Sequence, residues 1–231
     1  MKQFNVVLCT LLATASVGAG GTAHANLLTN GSFEQGTFTN EGSDTQTFNA
    51  GATTMTGWIV VGDQLSWIGA ANPFGLAAQD GALFLDLTAY ITGAPFGGVT
   101  QTIATTAGEQ YELSFYLGSY TARWGGPPVS IVVSANGASQ TFTNSASTSS
   151  STWTRETLLF TAGQGNSTAI TLTGAAGAAY IGLDDVAVVC ANSETNCSGV
   201  SPVPEPGSLA LLGLGLAGLG LTRRRRERSR A

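Results

Sequence analysis

Between Asn26 and Val189 the apolar residues recur with a period of two, in short runs, and no window sustains the 3.6-residue repeat of an amphipathic helix. Gln110-Tyr-Glu-Leu-Ser-Phe-Tyr-Leu117 shows the pattern most plainly. Tyr111, Leu113, Phe115 and Leu117 share one face of an extended chain and form one wall of a core. Val129–Ala135 runs into Asn136-Gly137, the pair favoured in a two-residue hairpin, and Ser139–Thr143 returns. Further strands are expected at Gly57–Val61, Leu83–Leu87, Val99–Ala104, Trp153–Thr161, Ala169–Thr173 and Tyr180–Val189, and a first strand segment closes at Glu34. Glycine fills 31 of 231 positions and only 10% of residues are charged, which suits short strands and tight turns. Strands in this number, with no helices between them, predict an all-β fold: two antiparallel sheets packed face to face as a β-sandwich or jelly roll.

Charge narrows the partners. Residues 26–202 carry two basic groups, Arg123 and Arg155, against twelve acidic ones, a net of −10. The last stretch, 203–231, reverses the sign with six arginines and two glutamates. Nucleic-acid affinity rests on Lys and Arg displacing counterions, so an acidic body with two cations excludes that partner.

Both ends carry targeting features. Lys2 precedes an apolar run from Val6 to Val17, and Ala23-His24-Ala25 offers small residues where a signal peptidase reads, so cleavage is expected after Ala25. That cut removes His24, the sole histidine, and Cys9. A Ser-His-Asp or Cys-His catalytic site cannot then be assembled, nor a zinc site that includes histidine. Cys190 and Cys197 remain, in Cys190-Ala-Asn-Ser-Glu-Thr-Asn-Cys197. In an oxidising compartment they are expected to close a small disulfide loop; the alternative is two free thiols.

At the C-terminus, Val203-Pro204-Glu205-Pro206 leads into an apolar stretch from Gly207 to Thr222 and then Arg223-Arg224-Arg225-Arg226-Glu227-Arg228. At helical rise this stretch spans about 24 Å, a marginal crossing of a hydrocarbon core roughly 30 Å thick. The arginines orient it with the tail in the cytoplasm. Gly213-Leu-Gly215-Leu-Ala-Gly218 matches a dinucleotide fingerprint in spacing only, since no strand precedes it and no acidic partner follows. The order of motif, apolar helix and arginine cluster resembles the PEP-CTERM sorting signal of Gram-negative bacteria. The resemblance implies that an exosortase in the inner membrane recognises Pro204, Glu205 and Pro206, cuts near them, and releases the protein to the cell surface or an exopolysaccharide matrix. The expected organisation is a signal peptide over 1–25, a β-sandwich over 26–190, a linker over 191–203 and a sorting signal over 204–231 with a single transmembrane helix.

A second resemblance covers the body. Asn26-Leu-Leu-Thr-Asn-Gly-Ser-Phe-Glu34, Thr56-Gly-Trp58, Ser66-Trp-Ile68, Asp80-Gly81, Leu85-Asp-Leu87, Gly97-Gly98-Val-Thr-Gln101, Gly108-Glu-Gln-Tyr111 and Leu183-Asp-Asp-Val186 follow the order found in choice-of-anchor C-type domains. Those domains are similar to galactose-binding-like jelly rolls, the architecture of many carbohydrate-binding modules. The resemblance implies a structural Ca²⁺ held by Glu34 and Asp184 with carbonyls from Ser32 and Asp80. The carboxylate chemistry suits that ion; the alternative is that both side chains accept strand-end hydrogen bonds.

Asp184 and Asp185 are neighbours in an expected strand and so point to opposite faces, which rules them out as a glycosidase pair. Such a pair would need distant partners such as Asp63 or Asp86. Rings are the other candidates, because sugars stack their C–H faces on aromatics. Trp58 and Trp153 lie in alternating patterns that suggest core packing, and Trp67 is open between core and surface. Tyr120, Arg123 and Trp124 share a Gly/Pro-rich loop and are the preferred sugar contacts, with Trp67 as a further candidate. The expected function is non-catalytic binding of polysaccharide after sorting. The alternative is a structural or adhesion protein of a biofilm matrix that meets proteins instead.

Overall fold

The computed structural model describes residues 25–90, 93–119, 128–144, 152–177 and 180–191. Among them the regular elements are strands: β1 (Thr45–Phe48), β2 (Ile59–Gly62), β3 (Leu65–Ile68), β4 (Phe84–Asp86), β5 (Gly97–Ala104), β6 (Gln110–Ser119), β7 (Val129–Ala135), β8 (Ala138–Asn144), β9 (Thr152–Thr161), β10 (Ser167–Ala176) and β11 (Gly182–Cys190). They form a six-stranded sheet ordered β1-β3-β4-β11-β6-β9 and a five-stranded sheet ordered β2-β5-β10-β7-β8. Every pairing is antiparallel. The expected all-β sandwich is therefore the fold. The expected signal peptide over 1–25, apart from Ala25, and the expected transmembrane helix lie outside the described residues.

The period of two does the work the sequence implies. Tyr111, Leu113, Phe115 and Leu117 of β6 face Ile131 and Val133 of β7 and Ile170 and Leu172 of β10 across the core, all fully buried. At roughly 1.5–3 kcal/mol per large apolar side chain removed from water, this layer is the main source of stability. Asn136-Gly137 makes the expected turn, with φ values of 47° and 79°, and leads β7 into β8. Two indoles are sealed within the core and still satisfy their N–H groups: Trp58 Nε1 donates to the Asn30 carbonyl at 2.8 Å and Trp67 Nε1 to that of Phe33 at 3.0 Å.

The structure departs from the sequence reading in three places. Residues 27–33 form bends and turns rather than a strand, with Asn30 and Phe33 at φ of 57° and 58°. The segment nevertheless lies along β11: Leu27 N donates to Val188 O and Val186 N to Gly31 O, both at 2.9 Å, and the Asn26 side chain bonds Val186 O and Val188 N. It covers the part of β11 that β4 does not reach, since β4 pairs only with Gly182 and Leu183. Gly31 is required there, because a Cβ would overlap the Val186 carbonyl oxygen. Second, β1 and β3 were not anticipated. Leu65-Ser-Trp-Ile68 is buried at every position, which erases the alternation that marks a strand. Third, Asp184 and Asp185 do not alternate: the β6–β11 register shifts between Asp184 and Ala187, and Asp185 sits at φ 46° in a bulge.

The register also sorts the loops. Ser119 pairs with Thr152, Gly118 with Gly182, and Gly182 with Asp86, so the ends of β4, β6 and the starts of β9 and β11 are level at one pole. Cys190 pairs with Tyr111 and Gln110 with Thr161 at the other.

Candidate ligand site

The outer face of the six-stranded sheet carries a second apolar cluster, separate from the inter-sheet core, at the first of these poles. Asp86, Gly182, Gly118 and Trp153 follow one another in register across β4, β11, β6 and β9. The two glycines make a floor on which the Trp153 indole lies: a Cβ on Gly118 would be 2.5 Å from Trp153 Cζ3, and one on Gly182 would be 3.0 Å from Cη2. Trp153 Nε1 donates to Ala77 O at 2.9 Å, tying the ring to the strap between β3 and β4. Leu76, Phe84, Ile68 and Tyr180 are buried there, with Phe74, Ala78 and Trp153 packed against them. Phe84 meets Trp153 edge-on at 5.7 Å and Tyr180 at 6.1 Å, and Phe74 meets Tyr180 at 5.8 Å. Tyr90, in the loop after β4, is 75% exposed.

Asp86 sits among these rings, 5% exposed. Its Oδ1 accepts from Thr88 N at 3.0 Å, Thr88 Oγ1 at 2.7 Å and Ile181 N at 3.1 Å. Burial pushes the carboxyl up to about 6 against the opposing pull of these donors. Burial also raises the Tyr180 hydroxyl, and the nearby charges of Asp86 and then Tyr90 raise it further.

A second carboxylate arrangement holds the same strap. Glu34 Oε1 accepts from Ala82 N at 2.8 Å and Leu83 N at 2.7 Å, while Asp184 Oδ2 accepts from Gln79 N at 2.8 Å and Asp80 N at 3.1 Å. Asp184 Oδ1 accepts from Asp185 N at 2.7 Å. Asp184 is fully buried, and its carboxyl is pushed up to about 7 by burial, which outweighs those amides. Asp185 is raised by burial and then by Asp80, while Arg155 lowers it. Gly81, between the two clamps, has φ +67° and leaves no room for a Cβ, which would be 2.5 Å from Glu34 Cδ. Among the described residues no group of three or more His, Cys, Asp or Glu could hold a metal. The carboxylates of Glu34 and Asp184, from two different segments, both grip residues 79–83 through backbone amides, and carboxylate oxygens are the hard donors that Ca²⁺ accepts.

Of the residues singled out from sequence, Trp67 must be reassigned. It is 0% exposed, flanked by Phe38 at 5.4 Å and Phe48 at 6.2 Å, and cannot stack on a ligand. Tyr120, Arg123 and Trp124 lie outside the described residues. Cys190 ends β11 and is disulfide-bonded, whereas Cys197, Pro204, Glu205 and Pro206 lie outside the described residues. Sequence reasoning missed Trp153, Tyr180, Phe74 and Tyr90. Parity could have found the first, since Leu158 and Phe160 face the core and odd-numbered Trp153 must face away.

The outer face of the five-stranded sheet offers no competing platform. One register row runs Ile59, Thr100, Thr171, Ser134, Ser139 and the next Val61, Gly98, Thr173, Val132, Thr141, without a ring or a charge.

The chain is similar to several known proteins. A structure of TmCBM61 in complex with beta-1,4-galactotriose is 20% identical, covering 72% of this chain and 99% of that one, at a TM-score of 0.42. A family 35 carbohydrate binding module from Clostridium thermocellum is 13% identical, covering 63% and 99%, at 0.41, and the N-terminal CBM22 tandem domain of Paenibacillus barcinonensis Xyn10C is 18% identical, covering 82% and 49%, at 0.46. Halomucin of Haloquadratum walsbyi (strain DSM 16790 / HBSQ001) is 30% identical over 194 residues, 80% of this chain, and the chain spans about 2% of that relative's length. Residues 202–226 match the PEP-CTERM protein-sorting motif, a signal for export and sorting to the cell surface. Residues 26–188, well over half of the sequence, match the family described as protein of unknown function (DUF642), and the chain belongs to that family.

Proposed function

We propose that this protein is an exported, non-catalytic polysaccharide-binding module, delivered by an exosortase to the cell surface or extracellular matrix. The observation that carries the reading is the aromatic cluster at one pole: buried Tyr180 lies near exposed Tyr90 and buried Asp86 and packs on Phe84, which meets half-buried Trp153, a set that supplies rings for stacking and a carboxylate for hydroxyl groups. On this proposal Tyr120, Arg123 and Trp124 remain the further sugar contacts expected from the sequence. Affinity electrophoresis of the exported protein through gels carrying different polysaccharides tests the reading. Retardation that Tyr90→Ala relieves supports it, and free migration in every gel refutes it.

The ancillary parts of the proposal follow the chain. Cleavage after Ala25 frees Asn26, which docks on β11; Cys190 pairs with Cys197; residues 191–203 link the body to the sorting signal; and that signal engages the inner membrane before cleavage near Pro204, Glu205 and Pro206. Ca²⁺ bound by Glu34 and Asp184 would neutralise the buried Asp184 charge and fasten the strap under Trp153. An adhesive role toward other proteins has one feature in its favour, the uncharged hydroxyl-rich outer face of the five-stranded sheet with Ile59 47% exposed.

A further inference from the structure

Asp86 is a buried carboxylate beside aromatic rings, and among the described residues no cation pairs with it. The ion pair among the described residues, Arg155 with Glu112 at 3.3 Å, lies elsewhere on the sheet, and the sequence holds a single lysine, Lys2, before the expected signal cleavage. All three hydrogen bonds to Asp86 end on Oδ1, two from Thr88 and one from Ile181. Tyr180 packs on Phe84 and Phe74, and both Asp86 and the exposed Tyr90 lie near enough to Tyr180 for their charges to act on its hydroxyl. A buried carboxylate and the negative faces of aromatic rings attract the same thing, a compact positive charge stripped of water. Neutral sugar hydroxyls would bond to the oxygen without cancelling its charge. A uronate would bring a second negative charge to a body that already carries −10 over residues 26–202.

We infer that the Asp86–Tyr180–Tyr90 cluster selects an amine-bearing sugar, the protonated hexosamine of a de-N-acetylated glycan, with the ammonium against Asp86 and the ring on Tyr90. The inference rests on the polysaccharide-binding reading and names the substrate class of that same site. Raised proton affinity at Asp86 agrees with a carboxylate awaiting a counter-charge.

The test is calorimetric binding of the exported protein to four probes: a β-linked glucosamine oligosaccharide, its fully N-acetylated counterpart, a neutral galacto-oligosaccharide and a galacturonate oligomer. A hydrogen bond to a charged group is worth enough that the glucosamine oligomer should bind about tenfold more tightly than the acetylated one. Asp86→Asn, which keeps an Oδ1 acceptor for Thr88 and Ile181, should abolish that preference, while Tyr90→Ala weakens both ligands. Equal affinity for the acetylated and free-amine forms, or preference for the neutral or galacturonate probe, overturns the amine inference and leaves the polysaccharide reading standing. Failure of all four to bind the folded protein overturns both.

Discussion

Trp153 and Gly118 are register partners on β9 and β6, and the indole occupies the space a side chain on Gly118 would need. Gly118→Ala must therefore lift the ring from its floor and strain its bond to Ala77. Overpacking of this kind costs about 1–3 kcal/mol. The expected outcome is a lower Tm in thermal unfolding and a red shift of tryptophan emission as the indole meets water.

Tyr90 and Trp153 should separate binding from stability. Tyr90 is 75% exposed, so Tyr90→Ala is expected to alter stability by no more than about 0.5 kcal/mol while reducing glycan affinity roughly tenfold. Trp153→Ala removes the centre of the outer cluster and should cost about 3 kcal/mol as well as binding. Paired calorimetry and denaturant titration check both.

Trp67→Ala should behave as a core lesion. The ring is fully buried against Phe38 and Phe48, so a loss of about 3–5 kcal/mol is expected. Any molecules that fold should bind glycan as the native protein does, measured per folded molecule.

Acidity should stabilise the apo protein. Asp86 titrates at about 6 when folded and near 3.8 when unfolded, so between these values the native state holds a proton the unfolded chain has released. Its contribution is complete below pH 3.8 and is lost as pH rises through 6, amounting to about 3 kcal/mol. Asp184, raised to about 7, extends the decline in the same direction. Urea titrations across this range should show a falling midpoint, and Asp86→Asn should flatten the part below pH 7.

Calcium should reverse the last part of that trend. With the ion bound, Asp184 stays ionised at no cost, and removing the ion with a chelator at neutral pH is expected to lower Tm by several degrees. Glu34→Gln should abolish the response. A Tm indifferent to chelator in the native protein means that the backbone amides alone hold the strap.

How much of this was legible beforehand depended on which face of a strand was covered. Strands with one wet face, β6 through β10, kept their alternation, and their places could be read within a few residues. Leu65–Ile68 lost the signal because the strap over 69–80 buries its outer side as well. The union of the N-terminal segment with β11 was foreseeable in outline, yet its turns and the Asp185 bulge come from hydrogen bonds to residues more than a hundred positions away. The aromatic cluster was the least visible part. Phe74, Tyr90, Trp153 and Tyr180 come from four separate segments, and only the register of β4, β11, β6 and β9 brings them level.

Strand β11 starts next to Tyr180 and ends at Cys190, nine residues or about 30 Å away at the opposite pole. The sorting motif follows that far end. Under the proposed function, anything that engages residues 202–226 therefore pulls on the sandwich from the end opposite Tyr180, leaving the proposed contact surface free at the other end of the same strand.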